Sequence, residues 1–69
     1  MQNIAIFVNG EGRKYPSPLS VQGLIERMAL AGKKIAVERN GEIVPRTAHA
    51  ATLLSEGDRL EIVVAVGGG

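Results

Sequence analysis

With 69 residues the chain has room for one domain and a modest core, and little surface for a walled active site. Its 45% apolar content suffices for that core, while a formal net charge of +1 and only two aromatics, Phe7 and Tyr15, argue against nucleic-acid binding, which needs a basic patch and stacking platforms. The absence of cysteine excludes disulfides, thiolate nucleophiles and zinc–thiolate sites.

The opening Met1-Gln2-Asn3-Ile4 lacks a basic segment followed by an apolar signal region. No apolar run approaches bilayer length, so a cytoplasmic protein without a membrane partner is expected. Ile4-Ala5-Ile6-Phe7-Val8 reads as a strand with Ile4, Ile6 and Val8 toward the core and Phe7 pointing away. Asn9-Gly10 then predicts a hairpin, because both residues accept the positive φ of a type I′ turn, with a longer bulged loop through Gly12 as the alternative. Arg13-Lys14-Tyr15 is the returning strand, broken by Pro16 and Pro18, which have no N–H to donate.

Ser20 is a helix N-cap, and Val21, Leu24, Ile25, Met28 and Ala29 fall on one apolar helical face. Gly23 weakens that helix by roughly 1 kcal/mol relative to alanine. Gly32 is the expected stop, with Lys33 and Lys34 at the negative end of the helix dipole. Ile35–Arg39 is the third strand, Asn40-Gly41 a second hairpin turn, and Ile43-Val44 starts a short fourth strand that Pro45 either places at an edge or terminates. The echo of Asn9-Gly10-Glu11 in Asn40-Gly41-Glu42 reflects two hairpins with the same turn chemistry. Thr47 can cap a helical turn through Ala48, His49, Ala50 and Ala51, and Ser55-Glu56-Gly57-Asp58 is a tight turn. The most apolar strand, Leu60 to Val66, belongs at the centre of the sheet.

Two hairpins flanking one helix, followed by a central strand, predict an α+β fold of the β-grasp, or ubiquitin-like, type. One main helix packs across a mixed sheet of four to five strands. The domain spans 1–66, and 67–69 form a glycine tail.

No constellation of catalytic side chains is visible, so an enzyme acting alone is the least expected class. His49 has no nearby nucleophile or carboxylate and reads as a solvated loop residue. Glu38, Glu42, Glu56, Asp58 and Glu61 are scattered, so no metal site and no bound cofactor are expected. Gly67-Gly68-Gly69 stands apart. It reads either as a frayed coil or as a tail slim enough to enter a narrow channel in a partner. In the second reading the α-carboxylate is the working group, activated as an acyl-adenylate. With no cysteine in the chain, any sulfur carried covalently in this way sits on that terminus.

The chain resembles the ThiS family of thiamine-biosynthesis sulfur carriers over essentially its whole length. The resemblance is carried by Ile6-Phe7-Val8-Asn9-Gly10-Glu11, by Val37 through Arg46, and by Gly57-Asp58-Arg59-Leu60-Glu61-Ile62-Val63 before Val66-Gly67-Gly68-Gly69. It implies a carrier, not an enzyme, whose Gly69 is adenylated with Mg-ATP by an E1-like adenylyltransferase of the ThiF type. A sulfur donor enzyme then supplies the sulfur of a C-terminal thiocarboxylate, which is passed to thiazole synthase of the ThiG type. Gly67 and Gly68 would thread the partner's channel. Phe7, Val63 and Ala65 are expected to share the sheet face opposite the helix and to dock the partner. The chain departs from the family pattern at Ala65, often histidine or a larger residue, and at Ala48-His49-Ala50-Ala51, where many relatives carry an aromatic. The small subunit of molybdopterin synthase, an isopeptide-forming modifier and a plain interaction module are the rival readings. The Glu38–Arg46 segment favours the thiamine branch.

Overall fold

Each of the two Asn-Gly pairs has both residues at positive φ, with Asn9 at 51°, Gly10 at 84°, Asn40 at 50° and Gly41 at 87°. That is the signature of a type I′ turn, whose twist matches the strands it joins. The first joins β1 (Asn3–Val8) to β2 (Glu11–Pro16) and the second joins β3 (Ile35–Arg39) to β4 (Glu42–Ile43). The computed structural model describes residues 2–65. Within it the fifth strand, β5 (Arg59–Val64), completes a sheet ordered β2-β1-β5-β3-β4. β5 is parallel to β1 and antiparallel to β3, and the two hairpins flank it. The apolar run of β5 thus lies mid-sheet, as its composition demands. This is the β-grasp arrangement. β4 starts one residue earlier than the sequence suggests, although Val44 N–H still reaches the Val37 carbonyl at 2.8 Å.

The one α-helix among the described residues, α1 (Val21–Arg27), covers one face of the sheet. Ser20 caps it, its Oγ accepting the Gly23 N–H at 3.0 Å. The remaining free N–H groups of the first turn are satisfied from the loop before β5: Val21 donates to Thr52 O at 2.9 Å and Gln22 to His49 O at 3.0 Å. Val21, Leu24 and Ile25 then pack against Ile6 and Val8 of β1, Val37 of β3, and Leu60 and Ile62 of β5, with Leu19 and Leu54 closing the edge. A Cβ on Gly23 would sit 3.0 Å from Leu19 Cδ1, so close packing accounts for a glycine in mid-helix.

The helix ends earlier than its apolar pattern implies. Met28 is the C-cap, and Ala29, expected on the buried face, is exposed with φ 59°. Ala29 N–H bonds Glu26 O at 3.1 Å and Leu30 N–H bonds Ile25 O at 2.9 Å. These two bonds are a Schellman motif, with alanine where glycine is usual. Gly32 therefore stops nothing, and Lys33 and Lys34 lie beyond the last turn. The loop before β5 differs too: a 3-10 turn forms over Arg46–Ala48, and the residue before it is Pro45, with no side-chain cap from Thr47. The tight turn at Ser55–Asp58 forms as expected, with Asp58 N–H donating to Ser55 O at 3.0 Å.

The start of β5 is held by a polar network. Asp58, only 7% exposed, pairs with Arg39 at 2.8 Å and accepts from Ser55 N–H at 2.7 Å and Asn40 Nδ2 at 3.1 Å. Burial alone would raise the Asp58 carboxyl pKa, but these three donors and the Arg39 charge outweigh it, and the carboxyl titrates below its ordinary value. Asn40 Oδ1 in turn accepts Arg59 N–H at 2.9 Å.

Candidate functional site

Strand alternation divides β5 between two faces. Leu60 and Ile62 are buried beneath the helix, whereas Arg59, Glu61 and Val63 face away from it. The parallel register sets Phe7 opposite Arg59, and the antiparallel register sets Ala36 opposite Val63 and Glu38 opposite Glu61. Phe7 and Val63 therefore share the helix-free face, at 44% and 63% exposure, as alternation predicts. Ala65 follows β5, is exposed, and donates its N–H to Lys34 O at 2.9 Å.

The three residues do not form one continuous apolar patch. Phe7 lies at one end of the face, its ring under the Arg59 guanidinium at 5.8 Å and beside its cross-strand partner Gly12. An open groove of about 270 Å³ runs beside it, lined by Phe7, Gly10, Arg59, Leu60 and Glu61. Val63 and Ala36 lie at the other end, nearer the C-terminus. Arg59, Glu61 and Glu38 lie between these two ends, and Ile43, 63% exposed and opposite Glu38, adds a third apolar position on the same face.

His49 is not the solvated residue its sequence context suggests. It is 5% exposed, and its ring Nε2 lies 3.1 Å from Val44 O. Because a carbonyl only accepts, Nε2 carries the hydrogen. The His49 backbone carbonyl also caps α1 through Gln22, so both ends of the residue tie the 3-10 turn to the body of the fold. The neighbouring alanines gave no sign of this: Val44 lies five residues back with no recognised motif between, and the tertiary fold brings Gln22 to His49.

Among the described residues no three His, Asp or Glu side chains converge as a metal cluster. No described helix is long and apolar enough to cross a membrane. Gly67, Gly68 and Gly69, on which the carrier chemistry was placed, lie outside the described residues, and what is visible is the strand that leads to them.

Comparison with known proteins agrees with this geometry. A solved structure of the thiamine biosynthesis protein ThiS from Geobacter metallireducens superposes with a TM-score of 0.80 at 32% identity, covering 96% of this chain and 100% of that one. Among curated sequences, a thiazole synthase of Paramagnetospirillum magneticum is 41% identical over 64 residues, which is 93% of this chain. The chain spans only 20% of that protein's length. The ycf40 protein of Pyropia yezoensis, 37% identical, matches over 97% of this chain and 94% of its own. The profile of the ThiS family matches residues 5–69, and the chain belongs to that family.

Proposed function

We propose that the protein is the sulfur carrier for thiazole formation in thiamine biosynthesis, and that Gly69 is its covalent site. The observation that carries this reading is the family match, which runs through the terminal Gly67-Gly68-Gly69 in a chain without cysteine. The thiazole synthases that contain a region 41% and 38% identical to this chain point to the same pathway, because fusing two modules gives a high effective concentration to partners that must meet.

In the proposed cycle an E1-like adenylyltransferase of the ThiF type, using Mg-ATP, joins AMP to the Gly69 carboxylate and releases pyrophosphate. A sulfide equivalent from a donor enzyme then attacks the acyl carbon, AMP leaves, and a thiocarboxylate remains. Thiazole synthase accepts the sulfur, and the carboxylate is regenerated. The carrier supplies no catalytic side chain. It is a co-substrate of its partners and works with them in the cytoplasm. Gly67 and Gly68 let the terminus pass a narrow channel, since a side chain there would meet its walls. Phe7, Val63 and Ala65 are the proposed docking residues on the helix-free face.

Intact mass spectrometry after incubation with Mg-ATP, the activating enzyme and a sulfur source tests the cycle. The expected result is a gain equal to one sulfur replacing one oxygen, lost when Gly69 is deleted. An unchanged mass beside a demonstrably active partner overturns it. A C-terminal extension that consumes the carboxylate in a peptide bond should abolish the modification and leave the fold intact.

A further inference from the structure

We infer that the cavity between the end of α1 and the 3-10 turn binds a small phosphate monoester with a short apolar body. This cavity lies on the helix side of the sheet, away from the face that carries Phe7 and Val63. It holds about 300 Å³, the lower end of the range for small-molecule sites. Its apolar wall is Ile25, Leu30 and Ile35, and its polar rim is Gln22, Lys33, Arg46 and His49.

The rim is cationic. No Asp or Glu lines the cavity. Lys33 and Arg46 are exposed and take part in no ion pair among the described residues. At the nearby helix end the Ile25 and Glu26 carbonyls are already taken by the Leu30 and Ala29 N–H groups. The Glu26 carboxylate, which does not line the cavity, accepts from Gln22 Nε2 at 3.4 Å and leaves the rim with two cations against one neighbouring acid.

His49 closes the inner wall, its ring held in place by the hydrogen that Nε2 gives to Val44 O. The site thus offers two cationic donors above an apolar wall. A phosphate monoester, which carries close to two negative charges at neutral pH, matches both cations, whereas a carboxylate carries only one. Arg46 suits phosphate oxygens through its fork of N–H groups, and Lys33 as a point charge.

Methyl and imidazole NMR of the whole chain tests this with phenyl phosphate as the probe. Saturable shifts of Leu30, Ile35 and His49 are expected. Phenol and inorganic phosphate should each bind at least about tenfold more weakly, since each lacks half of the recognition. Lys33→Gln and Arg46→Gln should each weaken phenyl phosphate about tenfold, with Ile6 and Ile62 methyl signals unmoved to show an intact core. Shifts that never saturate, an equal response to phenol, or unchanged affinity in both variants overturns the site. Benzoate binding more tightly than phenyl phosphate overturns the assignment to phosphate. The readout involves no sulfur transfer, so it stands or falls apart from the carrier cycle.

Discussion

The side chain of Asn9 is bonded to the backbone of Ile62 in both directions, Oδ1 accepting the Ile62 N–H at 2.8 Å and Nδ2 donating to the Ile62 carbonyl at 3.1 Å. The β1–β5 register itself covers only Phe7 opposite Arg59 and Val8 opposite Leu60. Asn9 therefore extends the ladder with its amide where the chain has already turned away into the hairpin. Asn40 does a similar thing on the β3 side, where its amide holds Arg59 and Asp58. The two turn asparagines grip the central strand from opposite sides.

Asn9 consequently has two separable roles, positive φ and a ladder amide. Asn9→Gly keeps the first and loses the second. It should cost about 1–2 kcal/mol, two partly exposed hydrogen bonds less the gain in φ freedom. Asn9→Ala loses both and should cost about 1 kcal/mol more. In a domain of this size each kcal/mol is about 4–8 °C in Tm, so thermal unfolding separates the two variants. Equal melting points of the two variants would show that the amide grip, not the turn geometry, is what matters, and a glycine variant that melts with the parent would show the reverse.

Asp58 should give the fold an acid-sensitive component. Its carboxyl pKa is depressed in the folded chain, so the unfolded state binds the proton more readily. The stabilisation is fully present above the ordinary carboxyl value and is lost as the pH falls through the lower, native one. Urea unfolding between about pH 6 and about pH 2 should show this loss in the parent and a shallower one in Asp58→Asn. At neutral pH Asp58→Ala should cost about 2–3 kcal/mol, because Ser55 N–H and the Asn40 amide lose their acceptor while Arg39, 30% exposed, can turn to water. A parallel pH dependence in parent and Asp58→Asn would remove Asp58 from the account.

Ala29 offers the opposite change. It holds φ 59° without the glycine that a Schellman end prefers, and its side chain is exposed. Ala29→Gly should stabilise by about 0.5–1 kcal/mol, the left-handed strain relieved less the entropy glycine adds to the unfolded chain. A higher midpoint in urea with an unchanged slope is the expected observation. A lower midpoint would mean that the Ala29 methyl contributes packing that outweighs its strain.

These residues also show what was legible in the sequence. Both Asn-Gly turns could be read because a type I′ turn needs positive φ at two successive positions and few residue types tolerate it. β5 could be placed centrally from its run of apolar residues, and the face bearing Phe7 and Val63 from strand alternation. The end of α1 could not, because Ala29 carries no local signal and the stop is set by Leu30 anchoring back to Ile25. His49 was misread for a similar reason: its burial rests on Val44 and on the first turn of α1, which the tertiary fold brings together. The cavity at the helix end is built from three separate segments, so no window of sequence contains it. The glycine tail was legible as composition, and the role proposed for it rests on family membership.

The separation of Phe7 from Val63 on the helix-free face makes a last prediction about docking. Phe7 and Val63 are separated by the strand length from the Arg59 position to Val63, ~13 Å at the usual rise per residue. Both are exposed, so Phe7→Ala and Val63→Ser should each change stability by less than about 1 kcal/mol. If one partner covers both spots, each substitution should weaken adenylation at limiting carrier several-fold, about 1 kcal/mol, through KM and not kcat. At that separation the two effects should add to within about 0.5 kcal/mol in the double variant. Steady-state kinetics of the activating enzyme with the three variants would show it. A loss confined to Phe7 would place the partner on the groove beside Arg59 alone, and a loss confined to Val63 would place it at the end of β5 from which the tail departs.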